Sequence, residues 1–271
     1  MAANMIAAYY SKGCDSHELF SDLKISKDPS YEENINKYAV IQLDMNDVVT
    51  RKGTSSVSSF INSIVVPELR EEYPSINLMD NIDIPGAIQA IYKGTGDRFV
   101  FIIDEYDVII RDQKYSSELD GYLTFLVSLF KNSATAPAIA LAYLTGIMPI
   151  IKEKTQSKLN NFTEYTMIDP DEMASFMGFT EDEVKSLATH SDMEFGDLKK
   201  WYDGYNLNGI EVYSPKSVIS SVEKRRCDDY WVETSSYEAV TDYISLDFKG
   251  LKEDVISMFT GNRVEVRTSF Y

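Results

Sequence analysis

Apolar residues along this chain follow two spacings, one helical and one of short buried strands. Met1 to Ser11 has the small and apolar spacing of a helix, with Met5, Ile6 and Tyr9 on one stripe and Gly13 as a stop signal. No cap residue precedes it, so the chain is expected to start inside an element. Ala39 to Asp44 (AVIQLD) predicts a short buried strand. Ser55 to Tyr73 keeps helical spacing, and Pro67 is expected to kink or divide it. Ile84 to Tyr92 predicts a short helix, and Gly94 and Gly96 mark a turn. Arg98 to Ile103 (RFVFII) is the strongest strand, a near-continuous apolar run suited to a parallel sheet covered on both faces. Asp104 and Glu105 end it. Tyr115 to Lys131 predicts a helix, Ala138 to Leu144 a buried strand running into Thr145-Gly146, and Phe162 to Ile168 a further strand. Strands alternating with helices give an α/β class with a mainly parallel sheet.

The pattern changes after Asp169. Thr180-x-x-Glu183 is a capping box that starts a helix. Gly196 to Tyr202 runs helically into WYDGY (Trp201 to Tyr205), and Ser214-Pro215 reads as a cap followed by a first-turn proline. WYDGY is expected to be a packed helix terminus with a structural role. Tyr237 to Leu246 and Leu251 to Thr260 also suit helices, and the final RVEVRTSFY suits the start of a strand.

Charge removes several function classes. The formal net charge of the 271 residues is −17, a field that repels polyanions. The only compact basic cluster, Lys224-Arg225-Arg226, is flanked by Glu223, Asp228 and Asp229, so a nucleic-acid role for this chain alone is disfavoured. Cys14 and Cys227 form no CxxC spacing, and His17 and His190 have no partner at metal-ligand spacing. No apolar run approaches the roughly 20 residues that span a bilayer, and no signal peptide opens the chain. A reducing cytoplasm is the expected location.

The candidate chemistry lies in FVFIIDEYD, Phe99 to Asp107. An apolar strand there delivers two adjacent carboxylates at its C-terminal end, the edge where open α/β sheets bind ligands. Asp104 is suited to holding Mg²⁺ and Glu105 to orienting or deprotonating a water. The usual partner, G-x-x-x-x-G-K-[ST], occurs nowhere in the chain, and Gly94-Thr95-Gly96 reads as a turn. Glu183-Val184-Lys185 has the letters of a nuclease motif but sits in the first turn of a capped helix.

Several stretches in order resemble the bacterial AAA-ATPase-like domain often found ahead of a PD-(D/E)XK nuclease-like domain. They are MAANMIAAYYSKG, ELFSDLKIS (Glu18 to Ser26), YAVIQLDM (Tyr38 to Met45), FVFIIDEYD and YLTGIMPI (Tyr143 to Ile150). KLNNFTEYT (Lys158 to Thr166), MGFTEDEV (Met177 to Val184), LKKWYDGYN (Leu198 to Asn206), VYSPKSV (Val212 to Val218) and YWVETS (Tyr230 to Ser235) follow. The resemblance implies a P-loop NTPase-like core over 1–168 lacking its P-loop strand, a helical domain over 169–261, and a tail over 262–271 toward a further domain. Walker A would precede the stretch matching MAANMIAAYY, making this chain a truncated form with impaired activity. Asp104 and Glu105 match the Walker B pair, and Thr145 matches a sensor-like position facing the γ-phosphate. Arg111 and Lys152 follow the strand ends, within reach of phosphate, and are expected to be solvated surface cations. ATP and Mg²⁺ are the implied ligands, with the ATP cycle moving the helical region to control an attached effector. The alternative is a P-loop-less module that binds a protein partner through that region. Without a P-loop strand, one edge of Ala138 to Leu144 would be bare, to be re-paired internally, covered by self-association, or left as a source of instability.

Overall fold

A computed structural model describes residues 2–147, 159, 161–167 and 169–233, with positions 253, 256, 257, 260 and 264. The described residues fall into two compact units, one within Met1–Thr163 and the other within Glu164–Phe270.

The first unit opens with helix α1 (Ala2–Tyr10) and the short helical turns α2 (His17–Phe20) and α3 (Tyr31–Asn34). Strand β1 (Ala39–Asp44) follows, then α4 (Met45–Arg51), α5 (Val57–Glu72), α6 (Ile84–Thr95) and strand β2 (Phe99–Asp104). The short α7 (Val108–Arg111), α8 (Leu119–Phe130) and strand β3 (Ile139–Leu144) complete it. The three strands form a parallel sheet in the order β1-β2-β3. β2 lies at its centre because its first five positions are all apolar: Phe99, Val100, Phe101, Ile102 and Ile103 are all buried. Full burial of such side chains is worth about 1.5–3 kcal/mol each.

The period of two along β2 divides its side chains between two cores. Phe99, Phe101 and Ile103 pack with Ile61, Ile88, Ile91, Leu126 and Leu129 from α5, α6 and α8. Val100 and Ile102 pack with Ala3, Ile6, Ala7 and Tyr10 of α1. The sheet is therefore covered by helices on both faces, as a parallel sheet requires.

α1 runs antiparallel to the strands. Its C-terminal end is tied to the start of β1, where Tyr38 N–H donates to Tyr10 O at 2.9 Å and Lys12 N–H to Tyr38 O at 2.9 Å. Near its other end, Asn4 accepts from Gln42 Nε2 at 2.7 Å. The N-terminus of α1 thus lies toward the edge of the sheet where β1 and β2 end.

Three expectations for this unit change. α5 continues through Pro67. The loss of one hydrogen bond, about 3 kcal/mol, is outweighed by five buried side chains from Val57 to Leu69. The helix expected from Tyr115 starts only at Leu119, after a 3₁₀ turn at Gln113–Tyr115. Glu118 is drawn off to other work, with its carboxylate 2.6 Å from Lys52 Nζ and accepting the Val57 N–H at 2.8 Å. Phe162 to Met167 forms no strand. Phe162 packs edge-on against Phe130 at 5.3 Å, and Asn161 Nδ2 donates to Phe130 O at 2.9 Å. Among the described residues β3 pairs on one side only, with β2.

The second unit contains β4 (Phe179–Thr180), α9 (Glu181–His190), α10 (Phe195–Tyr202), β5 (Asp203–Leu207), β6 (Ile210–Tyr213) and α11 (Pro215–Lys224). The capping box forms as expected, with Thr180 Oγ1 accepting from Glu183 N and the Glu183 carboxylate from Thr180 N. Pro215 opens α11. The region expected to be helical also holds an antiparallel sheet of order β4-β6-β5. WYDGY is accordingly divided, with Trp201 and Tyr202 closing α10 and Asp203 to Tyr205 entering β5. Asn208 at φ 52 and Gly209 at φ 88 make the two-residue turn of the β5–β6 hairpin. The segments expected as helices at 237–246 and 251–260, and the C-terminal strand, lie outside the continuously described residues. No helix of the described residues is long and apolar enough to cross a membrane.

Candidate functional site

The parallel register aligns the strand ends. Asp44 of β1 stands opposite Asp104 of β2, and Ile103 opposite Leu144 of β3. The β2–β3 ladder continues one step beyond the strands: Thr145 N–H donates to Ile103 O at 3.0 Å, and Tyr106 N–H donates to Thr145 O at 2.9 Å. This places the Thr145 side chain against Asp104, and its Oγ1 donates a hydrogen bond to Asp104 Oδ1. Two of the three sequence-predicted site residues therefore touch. Asp44 has a different task, since its carboxylate caps α4 by accepting from Asn46 N at 2.9 Å and Asp47 N at 3.4 Å.

Glu105 leaves β2 in the left-handed region at φ 55, a conformation that costs a residue with a Cβ about 1–2 kcal/mol. Its Oε2 lies 2.7 Å from Arg111 Nη2 but accepts no aligned hydrogen bond, although that oxygen is buried. The contact is one of charge. Arg111 is thus no free solvated cation. Its second nitrogen, Nη1, lies 3.4 Å from Asp107 Oδ1.

Asp107, which sequence reasoning passed over as part of the acidic stretch, is fully buried. Its Oδ2 accepts the Ile147 N–H at 3.2 Å, so it ties the turn after β2 to the turn after β3. Gly146 permits that approach: a Cβ there would lie 2.6 Å from Asp107 Oδ1 and 2.9 Å from Tyr106 Cε1. Beneath the turn, buried Tyr122 donates its hydroxyl to Tyr106 O at 3.0 Å, and burial pushes its phenol well above the ordinary range. Burial, and then the Asp104 carboxylate, also raises the Tyr143 phenol. The i,i+4 spacing of Asp107 and Arg111 was the available sequence signal for this pairing. Lys152 lies outside the described residues.

Among the described residues no group of three or more metal-ligating side chains occurs. A cation at this edge would have the Asp104 carboxylate and the Thr145 hydroxyl as neighbouring oxygen donors, a set that suits a hard ion retaining water and phosphate ligands. The donors present fit Mg²⁺ held through one carboxylate.

A curated relative, the uncharacterized protein in vnfD 5′ region of Azotobacter chroococcum mcd 1, is 27% identical over 164 residues. That match covers 58% of this chain and 31% of the relative, so the chain spans well under half of it. No solved structure matches. The model of the AAA-ATPase-like family, described as predicted AAA-ATPase, matches residues 1–155, more than half of the chain and all of the parallel sheet. This chain belongs to the AAA-ATPase-like family.

Proposed function

We propose that the C-terminal edge of the parallel sheet is a Mg-ATP site, with Asp104 assigned to the metal, Glu105 to the attacking water and Thr145 to the γ-phosphate. The observation that carries this reading is the junction itself: a buried strand delivers Asp104 onto the Thr145 hydroxyl, with the Glu105 carboxylate beside it held by Arg111. Family membership supports nucleotide and Mg²⁺ use in general.

When bound, Mg²⁺ supplies neutralisation of phosphate charge. The chain's own residues do the rest. Asp104 would hold the metal through its carboxylate, which the Thr145 hydroxyl orients. The Glu105 carboxylate would accept a proton from the attacking water. The N-terminal end of α1 lies toward the same edge. The phosphate cradle G-x-x-x-x-G-K-[ST] is not among these residues. The ATPase reading therefore requires a phosphate cradle supplied from outside these 271 residues in a full-length product, and we assign to the region after Asp169 the relay of the nucleotide cycle to an attached effector.

The missing cradle motif favours a second reading, a protein-interaction module without ATPase activity. Calorimetric titration of the full-length gene product and this 271-residue chain separates the two. Under the first reading the full-length product binds Mg-ATP, and Asp104→Ala weakens binding at least about tenfold, some 1.4 kcal/mol, only when Mg²⁺ is present. Equal affinity of wild type and Asp104→Ala in the presence of Mg²⁺ would remove the metal assignment, and no binding by either chain leaves the interaction module.

A further inference from the structure

We infer that Arg111 is a positioning residue that fixes Glu105 and couples it to the turn carrying Thr145. The inference rests on the Mg-ATP reading for its catalytic consequence, but not for the physical link.

The guanidinium divides its two nitrogens between two carboxylates, with Nη2 2.7 Å from Glu105 and Nη1 3.4 Å from Asp107. Asp107 in turn holds Ile147 N, two residues beyond Thr145. A fully buried carboxylate needs a cation close by, and Arg111 supplies one from the end of α7. Glu105 sits at a left-handed backbone position that relaxes unless its side chain is held. One planar fork meets both needs, and a lysine ammonium cannot, because it presents a single point charge. The contact engages the buried Oε2, while the Glu105 side chain as a whole stays about a third exposed, so the residue is held without being sealed from solvent.

The link reaches outside the acidic turn. Removing Arg111 leaves Asp107 buried without this cation, loosens its hold on Ile147 N and lets the Thr145–Gly146 turn drift from β2. Loss of Arg111 therefore acts on both sides of the site at once.

The test has a ligand-free and a kinetic arm. Amide resonances of the 271-residue chain are recorded for wild type, Arg111→Lys, Arg111→Ala and Glu105→Gln. The Ile147 amide is expected to move in both Arg111 variants, and the Arg111 Nε resonance to move in Glu105→Gln. Those shifts need no nucleotide. In the full-length product, Arg111→Lys and Arg111→Ala are expected to lower kcat about ten- to a hundredfold, with KM for Mg-ATP changed less than about threefold. An unmoved Ile147 amide in folded Arg111→Lys overturns the coupling. A KM effect with unchanged kcat overturns the positioning role. Amide shifts in a protein with no ATPase activity would confirm the link and refute the nucleotide reading alone.

Discussion

Gly146 is the sharpest point at which to test the packing of the candidate site, because its substitution is so small. In Gly146→Ala the added Cβ would lie 2.6 Å from Asp107 Oδ1 and 2.9 Å from both Asp107 Cγ and Tyr106 Cε1, inside van der Waals contact for all three. The backbone there is not left-handed, so the penalty is steric. Asp107 cannot swing aside cheaply, since it is fully buried and bonded to Ile147 N. Tyr106 is likewise buried, and its carbonyl receives the Tyr122 hydroxyl. Overpacking of this kind costs about 1–3 kcal/mol. Gly121→Ala is the matched control. A Cβ at Gly121, in the first turn of α8, meets nothing within 4 Å, and alanine there should stabilise by up to about 1 kcal/mol. Urea unfolding followed by far-UV circular dichroism gives both midpoints. Hydrogen exchange across β2 and β3 localises the change to the first unit. For a unit of this size each kcal/mol also moves the thermal midpoint by about 2–4 °C. If Gly146→Ala unfolds at the wild-type midpoint with an unchanged slope, the two turns are not packed as described and the link through Asp107 loses its basis.

Two predictions concern the second unit, where tryptophan fluorescence reports directly because both tryptophans, Trp201 and Trp231, belong to it. Thr180→Ala removes the cap of α9 and should cost about 1 kcal/mol in the fluorescence-detected transition, whereas Thr180→Ser should retain most of it. Hydrogen bonds from Lys185 and Lys199 hold the Glu181 carboxyl down at about 2, below its ordinary 4.5. A depressed folded value means the stabilisation is complete above pH 4.5 and is lost as pH falls toward 2. Glu181→Gln should therefore flatten the acid limb of the fluorescence transition across that window, and an unchanged acid limb would show that the lysine cluster does not hold this carboxylate.

The three parallel strands were legible because each is a short, nearly uninterrupted apolar run, and β1 spans the residues that its pattern predicts, Ala39–Asp44. The capping box at Thr180 and the proline opening α11 were legible for a local reason: their chemistry is complete within four residues. β5 was not legible from propensity. Asp203, Gly204 and Asn206 are poor strand formers; Asp203 and Asn206 are paired by the partner strand β6, and Gly204 sits at a register shift between them. The Asn208-Gly209 dipeptide ahead of Ile210 was the sequence signal for that hairpin. At the candidate site, sequence order fixed Asp104 and Glu105 at the end of β2, but the contact with Thr145 spans 41 residues and depends on strand register. Arg111 was misread because isolation in sequence says nothing of charge in space. Its partners are Glu105 and Asp107, on the turn it follows.

The central position of β2 carries a consequence for how the protein is made. Its neighbours come from both directions along the chain: β1 starts 60 residues earlier, and β3 starts 40 residues later, by subtraction of Ala39, Phe99 and Ile139. Until β3 leaves the ribosome, one edge of a five-residue apolar segment stays open, for about 2–8 s at 5–20 residues per second. Arg98 on one side and Asp104-Glu105 on the other bracket that segment with charge, as gatekeepers against intermolecular strand pairing. The same two carboxylates that end the strand in the folded protein would thus protect it during synthesis. Neutralising them should lower the soluble yield at 37 °C before any effect on the finished fold is seen.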